Sequence, residues 1–577
     1  MTRTPIVYKA RFKVEANTAL RIGSGKEGLL VDGLVAKDAN GLPYIPGTSL
    51  AGVLRHEIER YADYKQEVGQ LFGFQEEEVK QGEQYPRGQG SRIIFSDAQL
   101  LAYDEKKQQA IVHEGLQEID FEAPFYQSIQ QLPERDHVRI NHKGVAQDTG
   151  KYLEELVRRG TRFVFELELH GTAQDEAVWN HLLEIIHHDS FRVGAGTRKG
   201  FGQLSVVSYD ERKFDLKKDT DLTAYLAISS SLAETPDGVF PQWKPYHSKD
   251  LISDRYQHYQ LKLTPQDFFL FGAGIGDGDI DALPKTEKYI QWEGDVPSLT
   301  EEQLLIPATS IKGAIAHRVA YHYNLLTDWR IEKLGNISAE DAGLSLNVAE
   351  IAGQSGIGVT FERLEGITAS DPIWERWKAD IEALDYRKTK AWQVFKEAVR
   401  IKKNTISSAL IGVGEQNLAV RTFFGFAKEK RKDDKQKNKQ TDETDGARGL
   451  VIFSDTYKAY QTDKHTKLFN HVAIDRFKGG SRNGALFQER VATTNEIVLN
   501  MSIDLESLKA MVHEEENEPK PKHKISQAEY ENILQAWQDT LEDLANARLA
   551  LGGHTTKGHG LFKGTITTNP KKEEDAK

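Results

Sequence analysis

The chain of 577 residues has no cysteine, only three methionines, and no apolar run near the roughly 18–20 residues of a membrane span. Lacking cysteine, it can form neither a disulfide nor a thiolate zinc site, and it suits a reducing compartment. The opening Met-Thr-Arg-Thr-Pro has no apolar stretch of the kind a secretion signal needs, so a cytoplasmic protein without a membrane partner is expected. Overall basicity is absent too. The net charge is −12, and 28% of the residues are charged. That balance speaks against indiscriminate nucleic-acid binding, but affinity follows local clusters. Residues 135–162 reverse the sign, with seven Lys/Arg against four Asp/Glu.

What is present is a repetition. Ile-Pro-Gly-Thr-Ser at 45–49 returns as Ile-Pro-Ala-Thr-Ser at 306–310. Phe72-Gly73-Phe74 returns as Phe424-Gly425-Phe426, and Ile94-Phe95-Ser96-Asp97 as Ile452-Phe453-Ser454-Asp455. Val138-Arg139-Ile140 with Lys143-Gly144 is answered by Val472-Ala473-Ile474 with Lys478-Gly479. The glycine loop 193–202 is answered by 551–560. Five signatures in one order, three of them 352 to 358 residues apart, mean two copies of one domain.

In the first copy, alternation predicts strands over Val7–Val14 and Arg162–Leu169, with short strands at Ile93–Phe95 and Gly202–Val207. Helices are predicted over roughly 49–63, capped by Thr48 or Ser49, and over Val178–His187. The order β-α-β-β-α-β gives the fold class α+β: two tandem ferredoxin-like, RRM-like domains. The first is expected over 1–207 and the second over 256–568, joined by a linker at 208–255 and followed by a charged tail at 569–577. The second copy carries a helical insertion at about 330–405 and a low-complexity loop at 428–447, expected to be disordered. That loop mirrors the polar loop 75–91 of the first copy.

The glycine loops are not dinucleotide fingerprints, because they follow a helix and open a strand, the reverse of that motif's context. Nor is there the Gly-Lys-Ser/Thr of a P-loop. Gly196, Gly200 and Gly202 with Arg198 and Lys199 either form a nest for phosphate oxygens or make a tight turn needing positive φ. The return of a lysine at Lys557 favours an anion-binding role.

With these residues in hand, the chain resembles the RAMP superfamily of CRISPR-associated proteins. The glycine loops, Leu42-Pro43-x-Ile45-Pro46-Gly47-Thr48-Ser49-Leu50, Phe95-Ser96-Asp97 and Ile474-Asp475-Arg476…Gly484-Ala485-Leu486-Phe487-x-Glu489 carry the likeness. Together they are similar to the Cas7 backbone subunits of type III effectors, and the fusion resembles III-D-like proteins. The resemblance implies a prokaryotic ribonucleoprotein with crRNA, target RNA and other Cas subunits (of Cas10, Cas5, Cas7 and Cas11 kinds) as partners. It places Ser49, Gly52, Arg55, Gly196, Arg198 and Lys199 against guide phosphates, and likewise Ser310, Lys312, Gly313 and Lys557. Many relatives have Lys where this chain has Ala51; the second copy keeps it as Lys312, and the first is expected to use Arg55 instead.

It also implies thumb hairpins over 137–160 and 471–491 that wedge into the guide–target duplex, with Arg139, Lys143, Arg476 and Lys478 as RNA contacts. Few apolar residues are expected there. The implied catalytic residue is Asp32, ahead of the Ile-Pro-Gly turn, with Asp281 as its counterpart; both are also candidate ligands, through RNA, of Mg2+ or Mn2+. A carboxylate there can bind the cation or accept the proton of a 2′-OH aligned for attack. Asp281 lies 26 residues before Pro307, against 14 from Asp32 to Pro46, so its assignment is looser. Asp38 suits the Asp-Ala-Asn-Gly turn. Asp277, Asp279 and Asp281 do not form a calcium loop, because Lys288 stands where its glutamate belongs.

The enzyme expected is a metal-dependent endoribonuclease acting on guide-paired RNA at two sites. The alternatives are a non-catalytic guide-binding scaffold and a guide-processing ribonuclease with a histidine-centred site. His137, His142, His187, His188, His471, His554 and His559 are expected at the surface or against RNA.

Overall fold

The computed structural model describes residues 5–28, 31–61, 64, 67–76, 88–141, 144–233, 255–274, 276–278, 280–327, 412, 414–426, 446–513 and 524–570. The expected helical insertion and low-complexity loop, with His142, Lys143 and Asp279, lie outside them, apart from the end of the loop at 446–447.

The first copy runs β1 (Ile6–Ala16), α1 (Gly47–Ile58), β2 (Ile93–Phe95), the hairpin β3 (Glu134–Ile140) and β4 (Ala146–Glu155), β5 (Arg162–Gly171), α2 (Glu176–His187) and β6 (Leu204–Asp215). All sheet pairings are antiparallel; the order β6-β1-β5-β2 is the ferredoxin-like arrangement, and strands Gln99–Asp104 and Gln109–Val112 extend the same sheet beyond β5. Alternation in β1 decides its two faces. Tyr8, Ala10, Phe12 and Val14 enter the core with Leu50, Leu54 and Ile58 of α1 and Leu182, Leu183 and Ile186 of α2. Lys9 and Arg11 face the other way and pair with Glu166 at 2.7 and 2.8 Å.

That second face is covered by the chain after β6. Ser231 O accepts from Arg11, and Leu232 packs with Leu101, Val112 and Val164. The closing strand therefore ends eight residues past 207, and a helix α3 (Asp219–Leu226) with the residues up to 233 belongs to the first copy, not to a linker.

The second copy repeats the plan: β7 (Tyr256–Pro265), α4 (Ala308–Leu326), β10 (Val451–Phe453), the hairpin β11 (Thr466–Ile474) and β12 (Ser481–Ala492), β13 (Ile497–Asp504), α5 (Gln527–Ala545) and β14 (Phe562–Thr568). Its sheet order is β10-β13-β7-β14. It adds a hairpin, β8 (Ile290–Glu293) and β9 (Val296–Leu299), that the first copy lacks. This hairpin accounts for the longer spacing from Asp281 to Pro307.

The extra hairpin clasps the first copy. Ile290 belongs to the first copy's core, and its N–H donates to Arg159 O at 3.0 Å. Trp292 Nε1 donates to Gly160 O at 2.6 Å, while the Arg162 guanidinium lies over the indole at 4.3 Å. Nearby, buried Arg135 of β3 pairs with Glu287 at 2.9 Å and Asp455 at 2.6 Å.

The repeated motifs now have a mechanical reason. Thr48 and Ser49 do not cap α1; Pro46 stands at its N-cap, with no side-chain hydrogen bond. The orphan Gly47 N–H donates instead to Asp97 Oδ1 at 2.7 Å, and in the second copy Ala308 N–H donates to Asp455 Oδ1 at 2.8 Å. The aspartate of each Phe-Ser-Asp motif is a remote cap for the helix after each Ile-Pro turn.

Candidate nucleic-acid interface and paired aspartates

Asp32 and Asp281 are both exposed, and each is held by the same pair of backbone bonds. Asp32 N–H donates to Leu153 O at 2.9 Å, and Leu153 N–H donates back to Asp32 Oδ2 at 2.8 Å. Asp281 N–H donates to Gln488 O at 3.0 Å, and Gln488 N–H donates to Asp281 Oδ2 at 2.8 Å. One residue on, Gly33 bridges Glu154 and Ala282 bridges Glu489, both in parallel sense. Each aspartate is thus stitched to the outgoing strand of its own thumb hairpin, with Oδ1 left over. Asp281, despite its longer spacing to the Ile-Pro turn, is held in space as Asp32 is.

The adjacent glutamates, which sequence reading gave no role, are 2% and 0% exposed. Glu154 is ion-paired with Arg21 at 2.7 Å, His137 at 3.3 Å and Lys199 at 3.9 Å. Glu489 is ion-paired with His471 at 2.7 Å, His559 at 3.1 Å, Lys557 at 3.3 Å and also His554. Burial alone pushes the Glu489 carboxyl up. The hydrogen bonds of His559 and His471, the charge of His554 and the hydrogen bond of Lys557 outweigh it and hold the group at about 2. In each thumb the histidine stacks on the aromatic opposite it, His137 on Tyr152 at 4.8 Å and His471 on Phe487 at 4.7 Å. The glycine-loop lysine lies over that same ring, at 4.8 Å for Lys199 and 4.2 Å for Lys557.

These histidines are therefore not free surface groups: His137 and His559 are buried, and all four turn inward to a glutamate. A signal was available. Tyr152-Leu153-Glu154 and Phe487-Gln488-Glu489 repeat at the register of the thumbs.

The first glycine loop is not an open cradle. It packs into the seam between the copies, where a Cβ on Gly200 would meet the Ala308 Cβ at 2.5 Å. Arg198 is buried and donates to Gly449 O at 2.9 Å, so its guanidinium is directed to the second copy and not to solvent. A Cβ on Gly196 would meet the Phe201 ring at 2.6 Å, which accounts for that glycine by packing. Lys199 Nζ donates to Tyr152 OH at 2.7 Å and stays partly exposed. The second loop is mostly exposed, Lys557 included.

The seam also brings Lys312 toward Lys199 and Arg198. Burial, then those two charges, lower the Lys312 ammonium to about 8. Its polar contact among the described residues is Phe424 O at 3.5 Å, with no carboxylate in reach. Arg198 is lowered to about 10 by burial and then by the Arg448 charge. Partly desolvated cations that depress one another mark a place where an anion is electrostatically favoured.

Along the helix starts, Ser49 is half-buried and Ser310 exposed. Gly52 and Gly313 face open space, so a ligand can approach both helices closely. Arg55 pairs with Glu59 at 3.4 Å. On the thumbs, Arg139 reaches Glu415 at 2.6 Å, whereas Arg476 and Lys478 stand exposed at the second hairpin's turn. The thumbs are less polar than expected: Val138, Ile140, Val145, Val472, Ile474 and Leu486 are exposed, and Phe477 is fully so.

Among the described residues no cluster of three or more His, Cys, Asp or Glu has metal-holding geometry, and no helix is long and apolar enough to cross a membrane. Each of Asp32 and Asp281 keeps one carboxylate oxygen without a hydrogen-bond partner among the described residues, so either could serve a divalent cation as one ligand of several, the others coming from outside the chain.

The sequence profile of the RAMP superfamily matches residues 13–205 and 270–563. A search of curated proteins gives no match. Among solved structures, a chain of the type III-B Cmr-beta cryo-EM structure of the apo state overlaps 34% of this chain and 96% of its own, at 15% identity and a TM-score of 0.26.

Proposed function

The chain belongs to the RAMP superfamily, and from that premise we propose that it is a crRNA-binding backbone subunit of a type III CRISPR effector that cleaves complementary target RNA at two sites. The observation that carries this reading is the matched pair of exposed aspartates, each fixed by two backbone hydrogen bonds to its thumb. A decorative surface aspartate has no reason to be held identically in two copies at different sequence spacings.

The guide runs past the starts of α1 and α4, where Gly52 and Gly313 leave room and Lys312 has no carboxylate in reach among the described residues. Exposed apolar side chains on the thumbs are suited to slip between bases and unstack a nucleotide. The unstacked nucleotide presents its 2′-OH in line with the leaving 5′-oxygen. Oδ1 of Asp32 or Asp281 accepts the 2′-OH proton, the 2′-oxygen bonds to phosphorus, and the bond to the 5′-oxygen breaks. The 5′-oxygen takes a proton from water, leaving a 2′,3′-cyclic phosphate. Mg2+ or Mn2+, held by phosphate oxygens and water beside the carboxylate, would supply charge neutralisation at the phosphate. Oδ2, held by the Leu153 or Gln488 amide, keeps Oδ1 aimed.

The test uses the chain reconstituted with guide and partner subunits on a labelled complementary RNA, with magnesium or EDTA. Two cuts are expected, one lost in Asp32→Ala and the other in Asp281→Ala, each by at least about a hundredfold, the scale of removing a positioned proton acceptor. Both cuts persisting in the double variant defeats the catalytic assignment and leaves the scaffold reading.

A further inference from the structure

We propose that Glu154 and Glu489 are positioning residues for the two aspartates, the first held chiefly by an arginine and a lysine and the second chiefly by imidazoles. The functional half of this inference rests on the reading of Asp32 and Asp281 given above.

Each glutamate follows the residue whose N–H holds the aspartate, and each is buried, so neither touches RNA in the conformation described. What each does is tie together the elements that place that N–H. Glu489 joins β12 to β11 through His471, and to the glycine loop through His554, Lys557 and His559. Glu154 joins β4 to β3 through His137, to the glycine loop through Lys199, and to the segment before Asp32 through Arg21. Moving the aspartate means moving the strand, and the buried carboxylate resists that.

The two anchors differ in chemistry. Ala195 N–H donates to Arg21 O, and Gly553 N–H donates to Leu270 O, so Leu270 occupies the position of Arg21. The permanent guanidinium is gone. In its place stand His554 and His559, at the positions of Gly196 and Phe201. His554 even adopts a left-handed φ of 55° to be there. The groups facing Glu489 are His471 from β11 and His554, Lys557 and His559 from the loop, with Asp281 a residue away on the adjoining segment. Lys557 is the one non-imidazole cation among them. A protonated imidazole gives Glu489 a charge-assisted hydrogen bond; a neutral one gives less, and with its lone pair turned inward it repels. The first anchor is held chiefly by an arginine and a lysine, and the second chiefly by imidazoles with one lysine.

Amide hydrogen exchange on the guide-free full chain tests this without reference to cleavage. Glu489→Gln is expected to lower protection at the Gln488 amide about tenfold or more and to leave the Leu153 amide unchanged, and Glu154→Gln is expected to do the converse. His554→Gly, which suits that backbone, keeps the fold and lowers protection at Gln488 by less than Glu489→Gln does. In the reconstituted effector each glutamate substitution weakens the cut of its own aspartate, lowering its rate with guide affinity unchanged, and spares the other cut. Protection at Gln488 indifferent to Glu489→Gln, or at Leu153 indifferent to Glu154→Gln, overturns the proposal. The exchange pattern without any aspartate-dependent cut instead overturns the functional reading and leaves the positioning intact.

Discussion

Replacing Gly160 by alanine asks how much the clasp between the copies depends on one missing methyl group. Gly160 has φ 83°, and a Cβ there would lie 1.7 Å from Ile290 O, an impossible approach. The left-handed backbone costs an alanine about 1–2 kcal/mol. Relieving the clash pushes β8 away, and with it go the bonds from Ile290 N–H to Arg159 O and from Trp292 Nε1 to Gly160 O. Those are worth about 1 kcal/mol each, and partial exposure of Ile290 adds about 1 more. The clasp should lose about 4 kcal/mol.

Gly294→Ala is the control. It sits in the same hairpin at φ 63°, with nothing within 4 Å of its Cβ, and so carries backbone strain alone, about 1–2 kcal/mol. At about 1.4 kcal/mol per tenfold, the Ile290 amide should exchange about a hundredfold faster in Gly160→Ala than in Gly294→Ala. Equal exchange in the two variants would refute the reasoning, because the clash would then count for nothing.

Two further outcomes follow from the charges. Lys312→Ala should weaken guide binding and reduce the slope of log affinity against log salt by about 0.7, the value for one phosphate contact on a single strand. Arg198→Ala should leave that slope unchanged, since its guanidinium faces Gly449 O; filter binding from 50 to 300 mM salt reads both. Glu489 titrates at about 2 when folded against an ordinary value of 4.5. A depressed carboxylate stabilises the folded state above pH 4.5 and loses that contribution as pH falls from about 4.5 toward 2, on the order of 3 kcal/mol. Thermal melts of wild type and Glu489→Gln should therefore differ most at pH 6, differ by less at pH 3 and converge only at about pH 2 and below, and a constant gap would contradict this.

The duplication and its fold were legible because the repeated signatures are local devices. Proline turns, a capping aspartate and glycines with positive φ each leave a fixed word in the chain. The choice of Asp32 and Asp281 came from the family resemblance, and the thumbs were legible because they repeat. The seam was not. Arg198 reads identically whether it meets a phosphate or a carbonyl of the other copy, since tertiary contacts between repeats have no period. The β8–β9 hairpin has no counterpart to align with, so it registered only as excess spacing before Pro307. Glu154 and Glu489 looked like ordinary charges on a polar hairpin, because burial by histidines and a lysine from a loop 45 to 70 residues away has no local pattern.

The clasp changes what the stretch between the copies is for. Trp292, Ile290 and the Arg135 pairs join the halves across a broad surface that owes nothing to peptide continuity. Fusion then contributes chiefly at birth: each first half meets its own second half as it leaves the ribosome, at a local concentration no diffusing partner can match. Once the hairpin has closed, the tether is a record of how the pair was made more than the means by which it endures.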